Sequence, residues 1–156
     1  MTTLYEEVRA ALRGSDFRPR KSRGQNFLIH ERVIDGIIDL LDLQSSDHVV
    51  EIAPGLGFLT RRVLERAGQV WAIEVDAFLT EQLRRGALGT DPKLHLIQGD
   101  FLELTPAEFL PRELLKLAGN LPYSIATAVL FRIFEIREQF SLLVLMLQKE
   151  VADRML

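Results

Sequence analysis

His48-Val49-Val50-Glu51-Ile52-Ala53-Pro54-Gly55-Leu56-Gly57 is the stretch whose reading decides the fold. Residues 48–53 form a mostly apolar, β-branched run of the length expected for a buried strand. A proline and two glycines then break the strand, and Leu59, Val63, Leu64 and Ala67 take up helical spacing until Gly68. The alternation continues downstream. Strands are predicted over 70–73, 94–97, 114–118 and 142–147. Phe78, Leu79 and Leu83 mark one intervening helix, with Gly86 behind it, and Ala126, Val129, Leu130, Ile133 and Phe134 mark another. Strands alternating with helices predict an α/β architecture, a parallel sheet with helices on both faces, and the nearly all-apolar strands fit burial on both sides.

Upstream, Leu4, Val8, Ala11 and Leu12 have helical spacing, and Gly14 can stop that helix. Residues 15–26 read as a loop or arm, in which Arg18, Arg20, Lys21 and Arg23 crowd together. Val33, Ile34, Ile37, Ile38 and Leu41 then mark an amphipathic helix. Neither an internal repeat nor a low-complexity segment is present.

The 156 residues are near the size of one domain, and 47% of them are hydrophobic, enough for a sizeable core. The net charge of −3 carries no global sign of nucleic-acid binding, so any such role rests on the local basic arm, whose plain alternative is a solvated tail. Without cysteine there is no disulfide framework and no thiolate metal site. No apolar run reaches transmembrane length, and the acidic N-terminus lacks a signal-peptide core. A soluble, cytoplasmic protein is expected.

In an open parallel sheet, ligands bind beyond the carboxyl ends of the strands, near the point where strand order reverses. Four segments fall there: Pro54-Gly55-Leu56-Gly57, Glu74-Val75-Asp76, Gly99-Asp100 and Asn120-Leu121-Pro122-Tyr123. Turns alone account for the glycines, but not for acids at two successive strand ends. The glycine loop lets the backbone approach a ligand beside a helix N-terminus. It lacks the third glycine of G-x-G-x-x-G, having Thr60 instead, so a dinucleotide is disfavoured. Glu74, 17 residues past Gly57, can accept both hydroxyls of a ribose. Asp100 can accept an adenine amino N–H, or serve only as a turn acid. Together they describe an adenosine-bearing cofactor.

Asn120-Leu121-Pro122-Tyr123 can grip a planar amino group. The Asn120 side-chain carbonyl accepts one N–H, a main-chain carbonyl of Leu121 or Pro122 accepts another, and Tyr123 offers a stacking ring. The plain alternative is a strand ending in a proline turn with Tyr123 in the core. His30, His48 and His95 are read as capping or structural. No Ser/His/Asp set, metal-ligand spacing or Walker loop is present.

In order and spacing, Gly24-Gln25-Asn26-Phe27-Leu28, Glu51 to Thr60, Ile73-Glu74-Val75-Asp76, Gly99-Asp100, Asn120 to Tyr123 and Gln148-Lys149-Glu150-Val151-Ala152 resemble the KsgA-type small-subunit ribosomal RNA adenine dimethyltransferases. The resemblance covers roughly residues 18–154. It implies a Rossmann-like S-adenosylmethionine-dependent methyltransferase, with residues 1–27 as an N-terminal helix and basic arm and 28–156 as the catalytic domain. It implies that Asn26 and Leu28 contact the methionine end of S-adenosylmethionine, that Gly55 lies under it, that Glu74 holds the ribose and Asp100 the adenine, and that Asn120 stands near the methyl. The substrate implied is small-subunit rRNA, with two methyls added to N6 of each of two adjacent adenosines; no membrane or DNA partner is implied. Ala53 stands where the family usually has glycine. The family also continues into further strands and a small helical domain, so a sheet truncated after about five strands is expected, with an apolar edge open to self-association. The alternatives are a large-subunit rRNA methyltransferase of the macrolide-resistance type, a non-catalytic RNA-binding assembly factor and, least of all, a nicotinamide dehydrogenase.

Overall fold

The computed structural model describes residues 3–15, 17, 26–108, 110, 111 and 113–155. The basic cluster Arg18, Arg20, Lys21 and Arg23, with Gly24 and Gln25, lies outside the described residues. The elements run α1 (Leu4–Leu12), α2 (Glu31–Leu41), β1 (His48–Ile52), α3 (Phe58–Leu64), β2 (Gln69–Glu74), α4 (Ala77–Arg85), β3 (Leu94–Gln98), β4 (Leu115–Asn120), α5 (Ala126–Glu135), β5 (Phe140–Met146) and α6 (Lys149–Asp153). The five strands form one parallel sheet in the order β3-β2-β1-β4-β5. The order therefore reverses between β1 and β4, the position that opens a crevice at the carboxyl edge.

Period-two alternation sorts the strand residues between two cores. On one face Val49, Val70, Ala118 and Val144 pack with Ile34, Ile37, Ile38 and Leu41 of α2 and Val63 of α3. On the other, Val50, Ile52, Ile73, Leu115 and Leu117 pack with Val129 and Ile133 of α5, Phe101 and Leu110. In-register pairing of Ile52 with Ile73 and Gly119, and of Glu74 with Gln98, brings the strand ends level along one rim.

Several boundaries differ from the sequence expectation. β4 begins at Leu115, leaves Leu114 exposed and runs on through Gly119 and Asn120, which pair with β1 and β5 neighbours Ile52, Leu145 and Met146. β5 starts earlier, at Phe140, and ends before Leu147. α3 stops at Leu64, although Ala67 remains buried; the Lys93 ammonium donates to the Leu64 and Ala67 carbonyls and closes this end. β3 is only half-buried, because it is an edge strand. The short helix α6 was not anticipated. The strand histidines are structural, as expected. Trp71 stacks on His95 (4.7 Å) and meets His48 edge-on (5.5 Å); His95 Nε2 lies 2.7 Å from Gln69 Oε1, and His48 Nδ1 lies 2.8 Å from the Glu113 carboxylate. His30 occupies the N-cap position of α2, with no side-chain cap bond.

Candidate functional site

The turn from β1 to α3 is built on left-handed backbone. Ala53 has φ +57°, Gly55 +61° and Gly57 +82°. The two glycines do different work. A Cβ on Gly57 would come within 2.6 Å of Leu83 and Leu88, so that position is closed by packing. A Cβ on Gly55 would meet only the Phe27 ring, at 3.2 Å, on the side of the cleft.

Glu74, at the end of β2, is 3% exposed. Its Oε2 accepts the Gly55 N–H and its Oε1 the Asp76 N–H, both at 3.0 Å. Burial raises its pKa; the backbone donors Asp76, Gly55 and Val75 oppose the rise only in part. Each oxygen keeps a further lone pair for a ligand hydroxyl. Asp76, next along, caps α4 by accepting the Phe78 and Leu79 N–H groups.

Asp100 lies two residues beyond β3, after Gly99, whose N–H donates to the Glu74 carbonyl at 3.0 Å. Its Oδ1 accepts the Leu102 N–H at 2.9 Å. The acid therefore shapes its own turn, and the residue lines the cleft.

Asn120 is the last residue of β4. Its Nδ2 donates to the Asn26 carbonyl at 3.0 Å, which fixes the amide orientation and leaves Oδ1 as the acceptor with no partner among the described residues. The same bond pins the end of the N-terminal arm across the strand ends. The Leu121 side chain is buried, its N–H donating to the Met146 carbonyl at 3.1 Å. The Pro122 carbonyl already accepts the Ile125 N–H at 3.2 Å, whereas no hydrogen bond to the Leu121 carbonyl is found among the described residues. Of these two residues, Leu121 is only 1% exposed and does not line the adjacent cleft, whereas Pro122 does. Tyr123 is not in the core: it is 41% exposed and stands outside the cleft lining, at its lip.

These residues share one cleft of about 500 Å³, ample for a nucleoside-sized ligand. Asn26, Gly55, Glu74, Asp100, Asn120 and Pro122 all line it. Leu28 lines instead a neighbouring cavity of about 30 Å³. The apolar walls were not anticipated: Phe27 from the arm, and Val75 and Phe101, each directly following one of the two acids. Phe17 extends the Phe27 wall, stacking on Phe78 of α4 at 4.7 Å. Their position after a strand-end acid is the signal that could have found Val75 and Phe101. Glu51 was also passed over, though it is 1% exposed. No cluster of three or more His, Cys, Asp or Glu able to hold a metal occurs among the described residues, and no helix there is long and apolar enough to cross a membrane.

The sheet order and the placement of acids and amide along its rim define the chain as a Rossmann-like methyltransferase fold. Solved structures agree. A 23S rRNA methyltransferase, ErmE, matches with a TM-score of 0.73 at 31% identity, over 81% of this chain and 50% of the other. A dimethyladenosine transferase from Plasmodium falciparum matches at 0.73 and 30%, over 83% of this chain and 46% of the other. The chain belongs to the ribosomal RNA adenine dimethylase family, whose model matches residues 16–156. The ribosomal RNA small subunit methyltransferase A of Geobacter metallireducens is 42% identical over 147 residues, 92% of this chain and 53% of the relative. That of Geobacter sulfurreducens is 44% identical with the same coverage. The chain thus spans about half the length of the curated relatives it matches.

Proposed function

We propose that this chain is the cofactor-binding and catalytic portion of a cytoplasmic S-adenosylmethionine-dependent enzyme that dimethylates N6 of two adjacent adenosines in small-subunit rRNA. The observation that carries the reading is the convergence of Glu74, Asp100 and Asn120, from three strands, on one cleft. The donor set fits the cofactor: Glu74 for the ribose hydroxyls, Asp100 for the adenine amine, Gly55 beneath a ligand that a side chain there would crowd, and Asn26 and Leu28 toward the methionine end. Bound S-adenosylmethionine supplies an electrophilic sulfonium methyl.

The chain's own residues act on the target amine. The adenine N6 lone pair is delocalised into the ring, so the amine is a poor nucleophile. Asn120 Oδ1 and a main-chain carbonyl of Leu121 or Pro122 accept its two N–H groups and favour a pyramidal nitrogen. Positioning of this kind is worth up to about 7–11 kcal/mol in favourable cases. The neutral leaving thioether demands no strong base, in keeping with a cleft that no histidine lines. Unstacking the target adenosine costs a few kcal/mol, and stacking on the exposed Tyr123 ring returns roughly 1–3 kcal/mol. The basic segment 18–23 supplies charge for the phosphate backbone. The open edge of β5 supports self-pairing of the chain.

Calorimetric titration with S-adenosylmethionine and NAD side by side tests the cofactor: binding of the first alone is expected, and binding of NAD alone overturns the reading. Tritiated methyl transfer to unmethylated small subunits and to large-subunit RNA, assayed with the chain joined to the remainder of its protein, tests the substrate. Label in the large-subunit RNA only would assign it to the macrolide-resistance type.

A further inference from the structure

Phe17, Phe27 and Phe78 belong to neither core of the sheet. Phe17 lies flat against Phe78, with 4.7 Å between centroids and 12° between planes, and meets Phe27 at 6.4 Å. Phe78 is the firm end of this row. The Asp76 carboxylate accepts its N–H at 2.9 Å at the start of α4, while Leu79 and Leu83 of the same helix are buried. Phe27 is the working end: its ring walls the cleft beside Gly55. Asn26, the residue before it, supplies the carbonyl that accepts Asn120 Nδ2 at 3.0 Å. Phe17 and Phe78 themselves do not line the cleft.

We propose that Phe17 and Phe78 are positioning residues for methyl transfer: their stacked rings brace Phe27, which keeps the Asn26 carbonyl on the Asn120 amide and so holds Oδ1 toward the target amine. The proposal rests on reading Asn120 as an acceptor for that amine. A carbonyl oxygen only accepts, so Asn26 takes the amino end of the amide and leaves Oδ1 for the cleft. An amide released from that carbonyl turns about its terminal torsion, whose preferences are broad and roughly two-fold. Turned over, it offers N–H to the N–H of the adenine, and the contact that favours a pyramidal nitrogen is lost. After Phe27 the chain is anchored, because Leu28 and Ile29 pack against the core that α2 and α3 share with the sheet. On its other side Phe27 has the Phe17–Phe78 pair against it. A stacked aromatic pair shifts an equilibrium by up to about tenfold, enough to decide whether the Asn26 carbonyl stays seated.

Heteronuclear NMR of the chain reads the Asn120 side-chain amide directly. Phe78→Ala should speed solvent exchange of its bonded Nδ2 proton about tenfold, and Phe78→Tyr, which keeps a ring, should restore the wild-type protection. Methyl transfer is assayed with the chain joined to the remainder of its protein, at saturating S-adenosylmethionine and unmethylated small subunits, where weaker binding of either does not enter. Phe78→Ala should lower the rate at saturation about tenfold, and Phe78→Tyr should keep it. In an Asn120→Ala background Phe78→Ala should cost nothing further, because the amide it positions is gone. Should Phe78→Ala fail to fold by circular dichroism, Phe17→Ala removes the other ring of the pair and takes its place. Unchanged exchange in the folded variant, an unchanged rate at saturation, or an equal loss with and without Asn120 overturns the proposal only. A wild type that transfers no methyl, or an Asn120→Ala protein as active as the wild type, overturns the reading of Asn120, and this proposal with it.

Discussion

At the scale of single residues, Ala53 holds a backbone conformation that suits glycine. Its φ of +57° crowds Cβ against the carbonyl, while its N–H still donates to Ile73 at 3.0 Å and extends the ladder past β1. Ala53→Gly should therefore stabilise the chain by about 1 kcal/mol, read as a higher urea midpoint at unchanged slope. Asn120→Ala should lower methyl transfer by about 10²–10³-fold, the scale of losing one preorganised transition-state contact, while leaving the cofactor Kd within a few-fold; equal rates would remove Asn120 from the chemistry. Glu51 gives a pH signature. Its folded pKa, about 8, lies above the ordinary value of 4.5, so its protonated form is favoured by folding. The stability it contributes is full below pH 4.5 and is lost as pH rises toward 8, a change on the order of a few kcal/mol. Glu51→Gln should flatten that decline in thermal melts of the ligand-free chain. Glu74, Asp100 and Asn120 were legible because each is a polar residue at the end of an apolar run. Glu51 was not, since a single acid within such a run has the same spacing whether it serves a ligand or merely tolerates burial.

Among the elements, the junction of α2 with β4 depends on one side chain. Lys116 Nζ donates to the Leu41 and Asp42 carbonyls (2.9 and 2.8 Å) and to Asp47 Oδ2 (2.7 Å). It thereby caps α2 where Asp42 turns into left-handed backbone. Partial burial works against the Asp47 anion, but the Lys116 and Gln44 donors outweigh it and hold the carboxyl below its ordinary value. Lys116→Met should cost roughly 1–3 kcal/mol, because it orphans partly buried acceptors; a chemical denaturation midpoint within error of the wild type would contradict this. The alternation of strands and helices was legible from periodicity alone. The bounds of β4 were not, because Gly119 and Asn120 favour turns locally and are kept in the strand by pairing, Gly119 with both β1 and β5 and Asn120 with β5. Lys116 itself looked like an ordinary interruption of an apolar run, its three partners lying about 70 residues upstream.

The whole molecule presents two sheet edges among the described residues, β3 and β5. β5 is the more apolar, and Leu143 on it is 42% exposed. Sedimentation velocity should show the 156-residue chain self-associating as concentration rises, and Leu143→Lys should suppress this, since a charge on an edge strand opposes strand addition. A monomer at every concentration would place the edge under other cover. The chain's single tryptophan, Trp71, bears on a practical matter at this scale. Held between His48 and His95 in the middle of β2, its indole is fixed by the sheet and has no ring contact with the arm among the described residues. Ultraviolet emission from this molecule is therefore a thermometer for the sheet: it changes when the strands come apart and stays silent when Asn26 lets go of Asn120, so the two events can be told apart in one cuvette.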